Sequence, residues 1–242
     1  MNMDGKNHIV ALSGGKDSTA MALRLQEVEP DKDFKFVITP TGAELPPMDA
    51  HWRKLEGLLG KPLTVVTPGF TLMELCRTQK MIPNFRARFC TRMLKLIPYL
   101  SWLQHQFPAV SYVGLRADEE GRTGMETDDL GLLFTTRYPL REWGWGICEV
   151  LGYLDKRGVT VPDRTDCDRC YHQTLHEWWV LWTQYPDRWA SAVEDEDRTG
   201  HTFRSEQRDT WPASLRELAK AFEERGEPKK RNRDSECKAC RI

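Results

Sequence analysis

Apolar and polar positions fall into blocks along this chain, and the blocks alternate between two periods. His8-Ile9-Val10-Ala11-Leu12 is a short, largely apolar run with β-branched Ile9 and Val10, and it predicts a buried strand. Thr19-Ala20-Met21-Ala22-Leu23-Arg24-Leu25 carries a helical apolar stripe. Phe34–Ile38, Leu63–Val66 and Val110–Gly114 predict three further strands. Helical patterns cover 48–59, 71–79 and 91–106, and Pro40 through Pro47 reads as a loop. Strand and helix alternating over roughly the first 155 residues imply a parallel sheet covered on both faces by helices, a Rossmann-like α/β fold. From about residue 160 the pattern changes to a mainly helical, cysteine-containing C-terminal extension. The expected division is 1–158 and 159–242.

In that extension, Trp178, Trp179, Trp182 and Trp189 recur at roughly helical spacing within 172–194. They read either as a stacking platform for bases or, preferably, as the buried face of a packed helix. The polar stretch 195–210 reads as a loop, 212–225 as a helix, and Lys229-Lys230-Arg231-Asn232-Arg233 as a basic run in the tail.

The turn between the first strand and the first helix holds the chemistry. Residues 13–18 are Ser-Gly-Gly-Lys-Asp-Ser. Gly14 and Gly15 allow a tight turn and leave no Cβ in a ligand's way. The amides of the first helical turn converge on one spot, backed by the positive end of the helix dipole. Lys16 adds a full charge, and Ser13, Ser18 and Thr19 add hydroxyls. Phosphate or pyrophosphate is the natural occupant. The Walker spacing Gly-x-x-x-x-Gly-Lys-Ser/Thr is absent from the chain.

The 242 residues carry a net charge of −1, which gives no global basic field for nucleic acid, though a local patch is compatible with it. No apolar run reaches the roughly 20 residues of a membrane span, and the first residues lack the apolar core of a signal peptide. A cytoplasmic protein is expected, and its seven cysteines are then not structural disulfides. Cys76 and Cys148 stand alone in apolar or helical contexts and are expected to be buried. Cys90, Cys167, Cys170, Cys237 and Cys240 need another account.

Ser-Gly-Gly-Lys-Asp-Ser resembles the PP-loop of the N-type ATP pyrophosphatases. Thr41-Gly42-Ala43-Glu44, Phe89-Cys90-Thr91-Arg92-Met93-Leu94-Lys95 with Pro98, Val113-Gly114-Leu115-Arg116 with Arg122, and Tyr138-Pro139-Leu140-Arg141-Glu142-Trp143 resemble, in order, segments of the phosphoadenosine phosphosulfate (PAPS) reductase group of that superfamily. The resemblance implies an adenine nucleotide alpha hydrolase-like fold. It implies a nucleotide held by Ser13, Gly14, Gly15, Lys16, Asp17, Ser18, Thr19, Glu44, Lys95, Gly114 and Arg116. Lys16, Asp17 and Arg116 are the expected catalytic groups, with Asp17 orienting magnesium or the loop and Glu44 serving ribose or metal.

The resemblance also bears on the thiols. Related reductases hold a four-iron cluster with a Cys-Cys pair and a distant Cys-x-x-Cys. Here Cys90 followed by Cys167-x-x-Cys170 supplies three thiols, and Cys240 or Cys237 would supply a fourth. Four thiolates suit [4Fe-4S] or zinc equally; His172 and His176 tilt slightly to zinc. Glu236-Cys237 also resembles the catalytic Glu-Cys of the reductases, although the glycine and histidine that follow in the family are replaced here. Lys238 and Arg241 beside it favour the thiolate.

Three functions follow. The first is ATP α–β cleavage by adenylation, in sulfur transfer or nucleic-acid or small-molecule modification. It is favoured because reductases of this group usually lack the loop lysine that Lys16 keeps. The second is a thioredoxin-dependent sulfonucleotide reductase with Cys237 as nucleophile. The third is a nucleotide-binding accessory protein without turnover. Relatives are often homodimers.

Overall fold

In a computed structural model, residues 4–230 are described except 85, 120, 123–133 and 207. Cys237, Cys240, Glu236, Lys238 and Arg241, and residues 231–233 of the basic run, lie outside the described residues.

The elements in chain order are β1 (Asn7–Ala11), α1 (Lys16–Val28), β2 (Phe34–Ile38), α2 (Pro46–Leu59), β3 (Leu63–Val65), α3 (Leu72–Gln79), a π-helical turn (Thr91–Leu96), α4 (Ile97–Gln104), β4 (Ala109–Val113), β5 (Phe134–Arg137), α5 (Pro139–Glu142), α6 (Ile147–Lys156), α7 (Leu175–Gln184), α8 (Pro186–Thr199) and α9 (Leu215–Arg225). The five strands form one all-parallel sheet in the order β3-β2-β1-β4-β5. β1 is central, its residues Asn7–Ala11 paired with Ala109–Val113 on one side and its residues His8–Ala11 with Phe34–Val37 on the other. The order runs outward from β1 through β2 to β3 and then jumps back to β4. That reversal makes the switch point where such sheets open a crevice at the carboxyl ends of their strands.

The core follows from this layering. Val10, Leu12, Phe34, Phe36, Val110 and Tyr112 from the strands meet Met21, Leu25, Leu55 and Leu154 from the helices on one face. Ile9, Val37, Tyr99, Leu103 and Phe134 fill the other. A separate core gathers Trp178, Leu181, Trp189, Phe203, Leu215, Leu218 and Phe222, with Trp179 and Trp182 packed against it. Leu45 and Ile82 join this second core, so it is knitted into the sheet-bearing part. The tryptophans therefore pack a helical core, the preferred of the two sequence readings. Trp179 and Trp182 lie 5.2 and 5.6 Å from the Phe222 ring.

Three sequence expectations are corrected. The stretch 172–194 is two helices, because Pro186 starts α8 as its first residue. The 195–210 loop begins only after Gly200, whose left-handed conformation closes α8. Asp195 and Glu196, assigned to that polar loop, are buried in α8 instead. The fifth strand, β5, was not expected: four residues of which only Phe134 is buried give little signal. Cys76 is buried as anticipated, whereas Cys148 is half-buried and disulfide-bonded, against the expectation that no cysteine forms a structural disulfide. No helix among the described residues is long and apolar enough to cross a membrane.

Candidate nucleotide site and thiol cluster

The loop 13–18 leaves β1 and enters α1 as the sequence implies. Gly15 is the N-cap of α1, and no side chain caps the first turn. A glycine there leaves the amides of that turn to face whatever approaches the loop. Gly14 has φ +83°, and a Cβ on it would lie 2.8 Å from Trp52 Nε1 and 2.9 Å from Met48 Cε. Glycine is thus required twice, by conformation and by the helix packed beneath. That support comes from α2. His51 is buried and hydrogen-bonded to the backbone of Gly14. Burial lowers its pKa, partly offset by that bond. Trp52 Nε1 points at the Ser13 carbonyl at 3.4 Å. Ser13 and Ser18 hydroxyls are 3.0 Å apart, and Ser18 Oγ donates to the Gly15 carbonyl at 3.1 Å. Thr19 is fully buried in the first turns of α1.

The loop after β4 closes on the same spot. A Cβ on Gly114 would sit 3.2 Å from the Ser18 backbone, so glycine lets this loop approach α1 without pushing it aside. Arg116, just beyond, donates through Nη1 to Asp17 Oδ2 at 3.0 Å and through Nε to Asp118 Oδ1 at 2.8 Å. Burial raises the Asp17 pKa, against the pull of Arg116 and Lys16. Its other oxygen, Oδ1, is buried without a partner. Arg141 of α5 braces the Arg116 loop from behind, donating to the carbonyls of Arg116 at 3.3 Å, Glu119 at 3.0 Å and Arg122 at 2.5 Å.

The loop after β2 is held by one of its own side chains. Glu44 accepts from Thr41 N at 2.7 Å, Thr41 Oγ1 at 2.7 Å and Gly42 N at 2.9 Å. Its carboxylate therefore staples its own loop in this conformation. Thr71, which caps α3, packs on Gly42, where a Cβ would meet Thr71 Cγ2 at 2.7 Å.

The thiols form a second cluster. Cys90 and Cys167 pack against the same apolar group, formed by Ala43, Leu72, Leu75, Cys76 and Leu94. Cys167 is hydrogen-bonded to Cys170, and Cys90 lies close enough to Cys170 to feel its charge. The Cys167 thiol, half-buried, is raised well above the ordinary range by that contact and by desolvation. Cys170, its acceptor, is pulled down by that contact, against the opposing effect of burial, with further help from the backbone at His172 and the charge of Arg164. Cys90 is raised by burial. Cys90 leads directly into the π-helical turn that carries Lys95, and such turns commonly mark functional sites. Lys95 is exposed there, and its charge favours the thiolates of Cys90 and Cys167. Among the described residues, no three His, Cys, Asp or Glu side chains stand together as a ready ligand set. His172 is exposed, and His176 contacts Glu227 at 3.0 Å, so neither supports the tilt to zinc.

The two sites are neighbours. Thr165 lies against the PP-loop, its Oγ1 3.5 Å from where a Gly15 Cβ would stand. A cavity of about 460 Å³ runs from Lys16 past Leu154, Asp155 and Val159 to Arg164, Thr165 and Glu177. Sequence reasoning missed His51, Trp52, Arg141 and Arg164. None lies in the motif it supports, and only the fold brings them there.

No family model matches the chain, and no curated protein sequence matches it. Solved structures do. A PAPS reductase from Candida auris, in a phosphate complex, superposes with a TM-score of 0.51 at 14% identity, over 64% of this chain and 74% of that one. The U34-tRNA thiolase NcsA from Methanococcus maripaludis, with its [4Fe-4S] cluster, superposes with a TM-score of 0.50 at 16% identity, over 86% of this chain and 77% of that one. The likeness to both structures is one of fold.

Proposed function

We propose that this chain is a PAPS reductase-like PP-loop enzyme that binds ATP and cleaves its α–β bond. The observation that carries the reading is Lys16 as the first residue of α1, on an uncapped glycine turn at the switch point of the sheet. An acceptor oxygen attacks the α-phosphorus, and the bond to the bridging oxygen breaks. Pyrophosphate leaves with that electron pair. The acceptor is left adenylated, and its attack by a second nucleophile releases AMP. Negative charge grows on the departing pyrophosphate, where Lys16 and the first-turn amides stabilise it. Arg116, held by Asp17 and Asp118, adds a second cation at the mouth. Asp17 Oδ1, buried and unpartnered, fits a magnesium ion arriving with the nucleotide.

In this reading, residues 1–158 bind the nucleotide and 159–242 form the extension. Cys167 and Cys170, with Cys90 beside them, fit a soft metal, iron–sulfur or zinc. Cys240 would complete the set. Such a centre would supply sulfur or redox chemistry next to the adenylated acceptor. A sulfur-inserting reaction on a nucleic acid is the version supported by likeness to the thiolase, and by the closeness of the thiols to the loop.

The test is incubation of anaerobically purified protein with α-labelled ATP and magnesium, following AMP and pyrophosphate. The expected result is pyrophosphate release that falls at least 100-fold in Lys16→Ala, of the order seen when a single stabilising donor is lost. Unchanged cleavage in Lys16→Ala would remove this assignment. Sulfite release from adenylyl sulfate or its 3′-phosphate, with no ATP cleavage, would instead establish the reductase reading, supported by likeness to the PAPS reductase.

A further inference from the structure

Two cavities of the helical extension lie on either side of Arg204, a side chain only 1% exposed. Its Nε donates to the Pro212 carbonyl at 3.1 Å and its Nη2 to Asp209 at 2.7 Å. Those two nitrogens share one edge of the guanidinium. Pro212 and Asp209 line the cavity on that side, beside Trp211. Arg204 itself lines the other cavity, of about 460 Å³, to which neither Pro212 nor Asp209 contributes. What the guanidinium has left for that second cavity is Nη1, which is buried without a hydrogen-bond partner. Burial lowers the Arg204 pKa, against the pull of Asp209, and an anion at the far edge would add to that pull.

The rest of the lining suits an anion as well. His172, His201 and Arg208 bring basic side chains, and Glu206 is the one carboxylate among the described lining residues. Asn84 uses its side-chain oxygen to accept the amides of Arg86 and Ala87, each at 2.9 Å, so the donor end of its carboxamide is what it offers a ligand. Arg164 marks the contrast. It too has unpartnered nitrogens, Nε and Nη1, but it lines the cavity beside Lys16 together with Asp155, Asp163, Asp166 and Glu177. Carboxylates already answer its charge. Around Arg204 the surplus is of donors.

The place of the cavity gives it a use. Tyr171 and His172 follow Cys170 directly, and Arg208 donates to the Tyr171 carbonyl at 2.9 Å. Asn84 opens the turn that Ala87 closes, just ahead of Cys90. Both chain segments that carry the thiols therefore run into the cavity wall.

We propose that this cavity is a phosphate site, distinct from the loop at 13–18, and that it seats a phosphate group of the acceptor beside the thiols. The role for the acceptor rests on the reading above; the phosphate site does not. Arg204 Nη1 and the remaining N–H groups of Arg208 donate to the phosphate oxygens, in charge-assisted bonds that a planar guanidinium makes well. The volume lies within the range of small-molecule pockets, enough for a phosphate and the group that bears it. That phosphate belongs either to a small phosphorylated molecule or to a nucleic-acid strand.

The test compares full-length wild type, Arg208→Glu, His201→Glu and Lys16→Ala. Inorganic phosphate is titrated by calorimetry and a labelled single-stranded oligoribonucleotide by fluorescence anisotropy. Melting temperatures check that each variant folds. His201→Glu carries the test if Arg208→Glu melts early, because His201 is exposed on the loop after α8. The expected result is one class of phosphate binding that weakens at least tenfold in both cavity variants and persists in Lys16→Ala. An oligoribonucleotide that weakens in the same variants assigns the phosphate to a nucleic-acid strand; phosphate binding without it assigns a small phosphorylated molecule. Phosphate binding equal in wild type and both cavity variants would overturn the proposal. So would phosphate binding that disappears altogether in Lys16→Ala. Binding at the cavity in a wild type that never cleaves ATP would keep the phosphate site and overturn the reading that gives it an acceptor.

Discussion

The sheet-bearing part and the helical extension handle charge in opposite ways. Up to residue 163, no Asp, Glu, Lys or Arg among the described residues is buried; the buried polar groups are His8, Ser18, Thr19, Thr41, His51 and Ser111. Beyond it, Arg164, Asp168, Arg169, Asp195, Glu196 and Arg204 are all buried. The first part prepares for an anion with neutral backbone amides and keeps its full charges at the rim. The second builds formal charges into its interior, tying Arg169 to Asp168 and Asp195 and holding Arg164 and Glu196 on backbone groups. A backbone site tolerates changes in its surroundings so long as the turn survives. An interior of paired ions depends on each member, because removing one strands the other.

The largest test of that contrast is Arg169→Ala. It leaves Asp168 and Asp195 facing each other in a buried site, with only Arg188 and Arg198 at their outer edges. Stability should fall by about 3–5 kcal/mol, read from urea melts followed by tryptophan fluorescence. A loss below about 1 kcal/mol would show that the outer arginines suffice, and that the interior is less dependent on pairing than argued.

Next comes Glu196, which accepts from the backbone of Phe203 at 2.9 Å and Leu215 at 2.7 Å. Burial dominates those bonds and pushes its pKa from 4.5 up to about 7. Between those values the folded chain holds a proton that the unfolded chain has released. Its contribution is therefore complete below pH 4.5 and is lost as pH rises through about 7. The loss should be roughly 3 kcal/mol, from 1.36 kcal/mol per pKa unit. Urea midpoints from pH 5 to 8 should decline in wild type and flatten in Glu196→Gln. A flat wild-type profile would mean that the two amides fully offset burial.

The legibility of the chain divides along the same line. The hexapeptide at 13–18 was readable because strand, glycine turn and helix start are contiguous, and the site is made of backbone. Asp195 and Glu196 were misread because a run of Glu-Asp-Glu-Asp looks solvated in sequence. Their burial depends on partners 26 residues back, at Arg169, and 19 residues on, at Leu215. Arg204 was invisible for a related reason: its meaning lies in the partner that Nη1 lacks. The thiols were readable as a spacing, but only the fold brings Cys90 to the cluster that holds Cys167.

Gly14→Ala probes the other side. The left-handed φ and the approach to Trp52 and Met48 should cost about 2 kcal/mol together. ATP affinity, measured by calorimetry, should weaken at least tenfold, while the pH profile set by Glu196 stays unchanged. If stability fell without any loss of affinity, the loop would be a structural turn. Smallest is Thr71→Ala. It removes the hydroxyl that caps α3 and bonds Glu74, and should cost about 1 kcal/mol in the same melts. A larger loss would mean that its packing on Gly42 holds the loop after β2.

The central place of β1 has a consequence for how this protein is made. β1 leaves the ribosome first of all the strands, yet one of its edges is completed only by β4, whose last residue is Val113. At roughly 5–20 residues per second, that edge waits on the order of 5–20 seconds while α1, β2, α2 and β3 form around it. During that interval the nascent chain carries an unpaired apolar strand, Asn7–Ala11, which is a template for a wrong partner. Synonymous changes that slow translation between Leu63 and Ala109 would lengthen the exposure without altering a single residue of the finished protein.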